Sequence, residues 1–204
     1  KPGFDPVKDF APITKIGNST QILVGKPGLP VASLSELVAQ GKAMGALNYG
    51  SSGAASPGHV SGEMLRIASG LALAHIPYKG GAAAVNDVMA GQIDLAFTAV
   101  ATAKPLIESG KLKGLAVTTA RRSVMLPGVQ TFTEAGLKDF VVDTWLGIMA
   151  PARTPTAITN KLSVESIKVL ADESLRKRLT ELGVEPVGSS AQEFSEQVRQ
   201  DVAR

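Results

Sequence analysis

Residues 47–59, LNYGSSGAASPGH, contain a strand end, a loop of small residues and the start of a helix. Leu47 and Tyr49 alternate as in a strand. Ser56 is a good N-cap residue, and Pro57 suits the first helical position. Backbone N–H groups and hydroxyls converge at such a junction, where unpaired donors and the helix dipole favour an anion. Because the loop holds no catalytic group, the stretch predicts a site that binds a small anion without transforming it.

Strand-like apolar runs alternate with helical patterns on both sides of this loop, with strands predicted near residues 22–24, 47–49, 74–76, 93–97 and 115–117. This alternation, with short loops, predicts an α/β fold with a mainly parallel sheet and helices on its faces. Ligands of such sheets bind at the carboxyl ends of the strands, where loops 50–53, 78–81 and 98–102 follow.

The helix after the loop is predicted to run from Pro57 until Gly70 stops it, with Val60, Met64 and Ile67 on one face. The alternation of strands and helices changes after Thr118, where one longer strand and three helices follow. This change predicts two lobes. Residues 20–117 form the ligand-binding lobe, called lobe two, and residues 1–19 and 118–204 form parts of lobe one.

Composition excludes several classes of protein. The chain has 204 residues, 44% of them hydrophobic, which is enough for one large domain or two small lobes. A net charge of +3 without a basic stripe and interleaved aromatics does not predict nucleic-acid binding. No apolar run reaches the roughly 18 residues of a membrane span. The absence of cysteine excludes disulfides, and two histidines without a carboxylate cluster predict no metal site and no cofactor.

Several motifs occur in an order that resembles a known family: NYGSSG followed by Ser56 and His59, then IPYKGG at 76–81, GQIDL at 91–95, LAVT at 115–118 and TWLGIMAP at 144–151. DPVKDFAP at 5–12 fits the same pattern. The whole chain resembles the Bug family of periplasmic receptors, the TctC-like substrate-binding proteins of tripartite tricarboxylate transporters.

The resemblance implies a two-lobed periplasmic-binding-protein fold of type II, a Venus flytrap that closes on a small carboxylate in the cleft between its lobes. It implies a solute-binding protein and not an enzyme, located in the periplasm, that delivers its ligand to membrane permease subunits. We expect a monomer. Family members run longer at the amino end, so we expect that this chain lacks the amino-terminal part of lobe one and any signal peptide.

The predicted ligand-binding residues come from the three loops and from one tryptophan: Tyr49, Gly50, Ser51, Ser52, Gly53, Ser56, Tyr78, Gly80, Gly81, Thr98, Thr102 and Trp145. Thr98 stands where many family members carry Asp, and a hydroxyl in place of a carboxylate argues against an amino-acid ligand. Thr102 could instead serve only as a helix cap, and Trp145 could instead belong to the core.

Two other functions stay open beside carboxylate transport. A receptor with the same fold could report a ligand to a membrane partner without transporting it. A serine hydrolase would use Ser51 or Ser52 as nucleophile and His59 as base. The run from Gly50 to Gly53 lacks the Gly-x-Ser-x-Gly spacing of a nucleophile elbow, and no third acid is evident, so the hydrolase is disfavoured.

Overall fold

The computed structural model describes residues 3–203 and divides the chain into two compact units. The first unit comprises the chain up to Ser19 together with the chain from Trp145 onward, and the second comprises Thr20–Thr144. The elements in chain order are β1 (Phe10–Ser19), β2 (Gln21–Gly25), α1 (Leu34–Gln40), β3 (Leu47–Ser51), α2 (Pro57–Ser69), β4 (Leu73–Pro77), α3 (Gly81–Met89), β5 (Leu95–Ala99), α4 (Val100–Glu108), β6 (Lys113–Val117), β7 (Thr144–Pro151), α5 (Thr156–Leu170), α6 (Glu173–Glu181), β8 (Val184–Pro186) and α7 (Ala191–Ala203).

The second unit extends to Thr144, beyond the predicted boundary at residue 117. Phe132 and Phe140 stack at 4.1 Å between ring centroids and are buried in the same core as Phe97. The backbone N–H of Val142 also donates to the carbonyl of Thr118 at 3.0 Å. These contacts hold residues 118–143 on the second unit. The identification of the units with the two lobes stays a prediction.

A five-stranded sheet in the order β4-β3-β5-β2-β6 forms the centre of the second unit. β3 runs parallel to β4 and β5, whereas β2 is antiparallel to both of its neighbours, β5 and β6. The sheet is therefore mainly parallel, as expected, and β2 is the strand that runs in the opposite direction. The chain enters this unit at Thr20, and Gln21 pairs with Ala99 at the end of β5, so β2 must run opposite to β5.

Apolar side chains cover both faces of this sheet. Leu23 of β2 belongs to one buried cluster, and its neighbours Ile22 and Val24 belong to the other. Successive side chains of a strand point to opposite faces, so both faces of β2 are buried. This explains why the strand appears in the sequence as an unbroken apolar run.

The helix α2 presents small residues to the core. Val60 and Ile67 are 46% and 73% exposed, so the predicted apolar face of this helix is wrong at these two positions, whereas Met64 packs against the core as predicted. Its buried residues are Gly58, Ser61, Gly62 and Leu65. The ring of Tyr49 fills the space beside Gly62, where an added Cβ would lie 2.0 Å from the ring carbon Cε2. Only a residue without a side chain fits there.

The first unit contains a three-stranded sheet in the order β7-β1-β8, in which β1 and β8 are antiparallel. Helix α7 covers this sheet with the buried side chains of Phe194 and Val198. Among residues 3–203, every helix is too short or too polar to cross a membrane.

Candidate functional site

Three predicted loops meet at the carboxyl ends of β3, β4 and β5. The backbone N–H of Tyr78 donates to the carbonyl of Ser51 at 3.0 Å. An added Cβ on Gly53 would lie 3.6 Å from the carbonyl oxygen of Tyr78, and one on Gly81 would lie 3.1 Å from Thr98 Oγ1. The structure therefore brings the predicted residues of the second unit to one edge of the sheet, as expected for parallel strands.

The hydroxyls of Ser51 and Ser56 bond within their own loop. Ser51 is fully buried, and its Oγ accepts from the N–H of Gly53 at 3.2 Å and from Ser56 Oγ at 3.2 Å. It also lies 2.7 Å from Nε2 of His75. Ser56 Oγ caps α2 by accepting from the N–H of His59 at 3.3 Å. These two hydroxyls shape the loop, and contact of either with a ligand stays a prediction.

Ser52 differs from both neighbouring serines. Its side chain is exposed, and its hydroxyl has no hydrogen-bond partner within residues 3–203. Of the three predicted serines it is the one whose hydroxyl is free to donate to a ligand.

Tyr49 and Gly50 lie beneath the loop. The Tyr49 hydroxyl donates to Glu63 Oε1 at 3.1 Å, and burial, followed by this bond to Glu63, raises the pKa of the phenol. An added Cβ on Gly50 would lie 2.8 Å from both Ala84 Cβ and Ile93 Cδ1, so only glycine fits. The structure thus uses the Tyr49 side chain and the missing side chain of Gly50 for packing, and their predicted ligand contacts stay untested.

Tyr78 is joined to α3 by its hydroxyl, which donates to Asp87 Oδ2 at 2.6 Å. Burial, followed by this bond to Asp87, raises the pKa of Tyr78 to about 12. The phenol therefore stays protonated at neutral pH with its hydrogen directed to Asp87. An anionic ligand near the hydroxyl would face only oxygen lone pairs, so the backbone of the following turn is the better donor.

Two helices begin at this edge without a side-chain cap. Gly80 precedes α3 and Ala99 precedes α4, and within the described chain no side chain accepts from the first turn of either helix. Thr98 lies two residues before α4 and beside Gly81, the first residue of α3. Its hydroxyl is also without a hydrogen-bond partner among residues 3–203, although the residue is only 4% exposed.

At this edge of the sheet, two uncapped helix first turns therefore begin close to Thr98 in sequence or in space, whereas Ser56 caps α2. Helix first turns carry free N–H groups and positive partial charge, which favour a carboxylate. The backbone N–H groups of Ala82, Ala83 and Ala101, which lie in these two first turns, were not singled out from the sequence. The available signal was a helix preceded by Gly80 or Ala99, neither of which can cap it.

Thr102 does not cap α4. The helix begins at Val100, which places Thr102 in its first turn with an exposed side chain. The alternative that it serves only as a cap is wrong, whereas its contact with a ligand stays a prediction.

Trp145 lies in the first unit and has packing contacts there. Its indole N–H donates to Asp201 Oδ2 at 2.7 Å, and its ring meets Phe194 edge to face at 4.9 Å. These contacts match the alternative in which Trp145 is a packing residue. Its contact with a ligand stays a prediction.

The Ser51–His59 pair of the hydrolase alternative is not formed. Ser51 is fully buried and contacts His75, not the predicted base His59. Nδ1 of His59 instead accepts from the backbone N–H of Ala55 at 3.0 Å. Within residues 3–203, no three His, Cys, Asp or Glu side chains lie close enough together to hold a metal ion.

A family model described as "Tripartite tricarboxylate transporter family receptor" matches residues 1–204. Three solved structures are similar to this chain. Rpa4515 of R. palustris with adipate is 34% identical, with a TM-score of 0.89, and the match covers 100% of this chain and 69% of that one. The periplasmic binding protein BugD is 32% identical, with a TM-score of 0.86 and coverages of 99% and 69%.

The third structure is MatC from Rhodopseudomonas palustris with bound malate, which is 27% identical, with a TM-score of 0.85 and coverages of 100% and 71%. The first curated relatives that match are from 28% to 32% identical. The chain spans only 54% to 62% of the length of these relatives.

Proposed function

The chain belongs to the tripartite tricarboxylate transporter receptor family, and we propose that it is a periplasmic solute-binding protein that captures a small carboxylate. We further propose that it delivers the acid to the membrane permease of such a transporter and that closure of a cleft around the acid accompanies capture. Support comes from the family membership and from similar proteins whose structures contain adipate and malate.

One observation carries the proposal. The first turns of α3 and α4 have no capping side chain, and the Thr98 hydroxyl beside them has no partner within the described residues. Several neutral donors can bind a carboxylate through charge-assisted hydrogen bonds, which are stronger than neutral ones. The proposed site needs no arginine, because its affinity comes from several aligned bonds in a place that sheds water on closure.

The ligand class follows from the charge around the site. Thr98 contributes a hydroxyl where a carboxylate would attract an ammonium group, so we propose an acid without an amino group. A dicarboxylate is the first candidate because adipate and malate are bound by the similar proteins. Tricarboxylates and aromatic acids are the next candidates.

Thermal unfolding with and without ligand tests this function. We expect adipate or malate at about 100 times its dissociation constant to stabilise the folded chain by roughly 2.7 kcal/mol. Adipamide has the same carbon skeleton without the charges and should not shift the unfolding midpoint. Citrate and benzoate test the other two acid classes. A folded chain whose midpoint responds to none of these acids would contradict the proposal.

A further inference from the structure

Two stacked histidine rings lie under the 51–56 loop, and the proposed function gives them no role. His59 of α2 and His75 of β4 stack with ring centroids 3.9 Å apart and planes 11° from parallel. They are the only two histidines in the chain. Each ring holds one end of the loop through a different nitrogen, so the pair connects α2, β4 and the loop.

His59 holds the loop through a bond that requires an unprotonated nitrogen. Its Nδ1 accepts from the backbone N–H of Ala55 at 3.0 Å. A backbone N–H can only donate, so Nδ1 must carry no proton. Ala55 has a φ of +59°, a left-handed conformation that is unfavourable for a residue with a side chain. The bond to His59 therefore helps to retain a strained residue.

His75 holds the other end of the loop. Its Nε2 lies 2.7 Å from Ser51 Oγ, and this oxygen in turn accepts from the N–H of Gly53. Gly53 is the loop residue that lies against Tyr78. Ser51 Oγ therefore links the ring of His75 to the place where the first loop meets the second.

The surroundings of the pair shift the pKa of His75 in opposite directions. Burial lowers the pKa of His75, a positive charge on His59 lowers it further, and Glu63 opposes both effects. The carboxylate of Glu63 is shared with Arg66 at 2.9 Å and with the Tyr49 hydroxyl at 3.1 Å. Two protonated rings stacked face to face would repel each other, so the observed arrangement fits neutral rings.

We propose that His59 and His75 are positioning residues that hold the 51–56 loop against the Tyr78 turn while neutral, and that protonation releases the loop because it removes the acceptor for the Ala55 N–H and puts like charges on the two stacked rings. The consequence for carboxylate binding rests on the proposed function. Affinity should fall between pH 7.5 and pH 5.5, because protonation of histidine becomes more favourable as the pH drops through this interval.

The first arm of the test uses the ligand-free chain and NMR between pH 8 and pH 5. We expect the chemical shifts of the backbone amides of Gly53 and Ala55 to change with pH. The midpoint of this change should equal the midpoint of the histidine ring signals. In the double variant His59→Asn/His75→Gln, each ring is replaced by a side-chain amide that lies near the position of the hydrogen-bonded ring nitrogen. The amide cannot be protonated in this pH range. In this variant the pH-dependent change in the chemical shifts of these amides should be absent. The proposal would be overturned if the chemical shifts of the loop amides do not follow the ring titration. It would also be overturned if they show the same pH dependence in the double variant.

The second arm measures adipate binding at pH 7.5 and pH 5.5 in both proteins, so that protonation of adipate itself cancels between them. We expect wild-type affinity to fall about fivefold more than that of the double variant, the effect of losing one ordinary hydrogen bond. An equal fall in both proteins would overturn the inference and leave the proposed function intact. Absence of binding of adipate, malate, citrate and benzoate at both pH values, with coupled loop and ring titrations, would overturn the proposed function while supporting the positioning role.

Discussion

The substitution Thr98→Val separates ligand binding from stability. Valine keeps the branched shape of the side chain and removes only the hydroxyl. A hydrogen bond to a charged group contributes about 1.5–3 kcal/mol, so we expect adipate to bind roughly 10- to 100-fold more weakly. Because the hydroxyl has no partner within residues 3–203 and the residue is 4% exposed, the unfolding midpoint should stay the same or rise. Isothermal titration and thermal unfolding measure the two effects.

Thr131→Val is the matched control, because Thr131 is also buried but its Oγ1 accepts from the N–H of Glu134 at 3.0 Å. Losing this hydrogen bond should destabilise the chain by about 1 kcal/mol and leave adipate affinity unchanged. The reasoning is refuted if Thr98→Val binds adipate as tightly as wild type, or if both variants weaken binding equally.

Three further substitutions test the packing and the electrostatics. Gly62→Ala places a methyl group 2.0 Å from the Tyr49 ring, and the resulting strain of about 1–3 kcal/mol should exceed the gain of about 1 kcal/mol in helix propensity. Its thermal midpoint should fall, and a rise would contradict the packing described. Asp94→Asn removes the carboxylate that bonds Lys26 Nζ at 2.6 Å in a largely buried pair, so the urea midpoint should drop by the equivalent of about 1–3 kcal/mol; no drop would show that the pair is not formed in solution. The pKa of His75 is lowered on folding, so the unfolded chain binds the proton more readily, and the free energy of unfolding should be greatest above about pH 6.5 and decrease below it. Urea midpoints at pH 7.5 and 5.5 should differ less in His75→Gln than in wild type, and equal differences would contradict this.

Local signals in the sequence predicted much of the second unit. Ser56 caps α2, and Gly70 ends it with a φ of +68°, both as expected. A cap or a stop depends on a few adjacent residues, so the sequence contains all the information needed. The position of three loops at one sheet edge was also predictable, because parallel strands joined by helices place their carboxyl ends together.

The buried face of α2 was not predictable from its own residues. Helical spacing marked Val60 and Ile67 as a core face, yet both are exposed. The deciding residue is Tyr49, which lies outside the helix and fills the space above Gly62. An apolar pattern cannot indicate that a neighbouring ring already occupies the space that a large side chain would need.

The partner of Ser51 was also not predictable. His75 is distant in the chain and reaches Ser51 only because β3 and β4 pair in parallel, with Tyr49 opposite His75. His59, which is closer in sequence, was a partner only in the disfavoured hydrolase alternative. The contrast shows that the internal bonds of the loop depend on strand register, whereas its position at the sheet edge depends only on fold class.

Chemical-shift mapping tests the central claim most directly. The labelled chain is titrated with adipate, with adipamide as the uncharged control. The account predicts that adipate shifts the backbone amides of the first turns of α3 and α4 and of Thr98, whereas adipamide does not. Shifts confined to other parts of the chain, with these amides unmoved at saturation, would contradict a carboxylate site at this edge of the sheet.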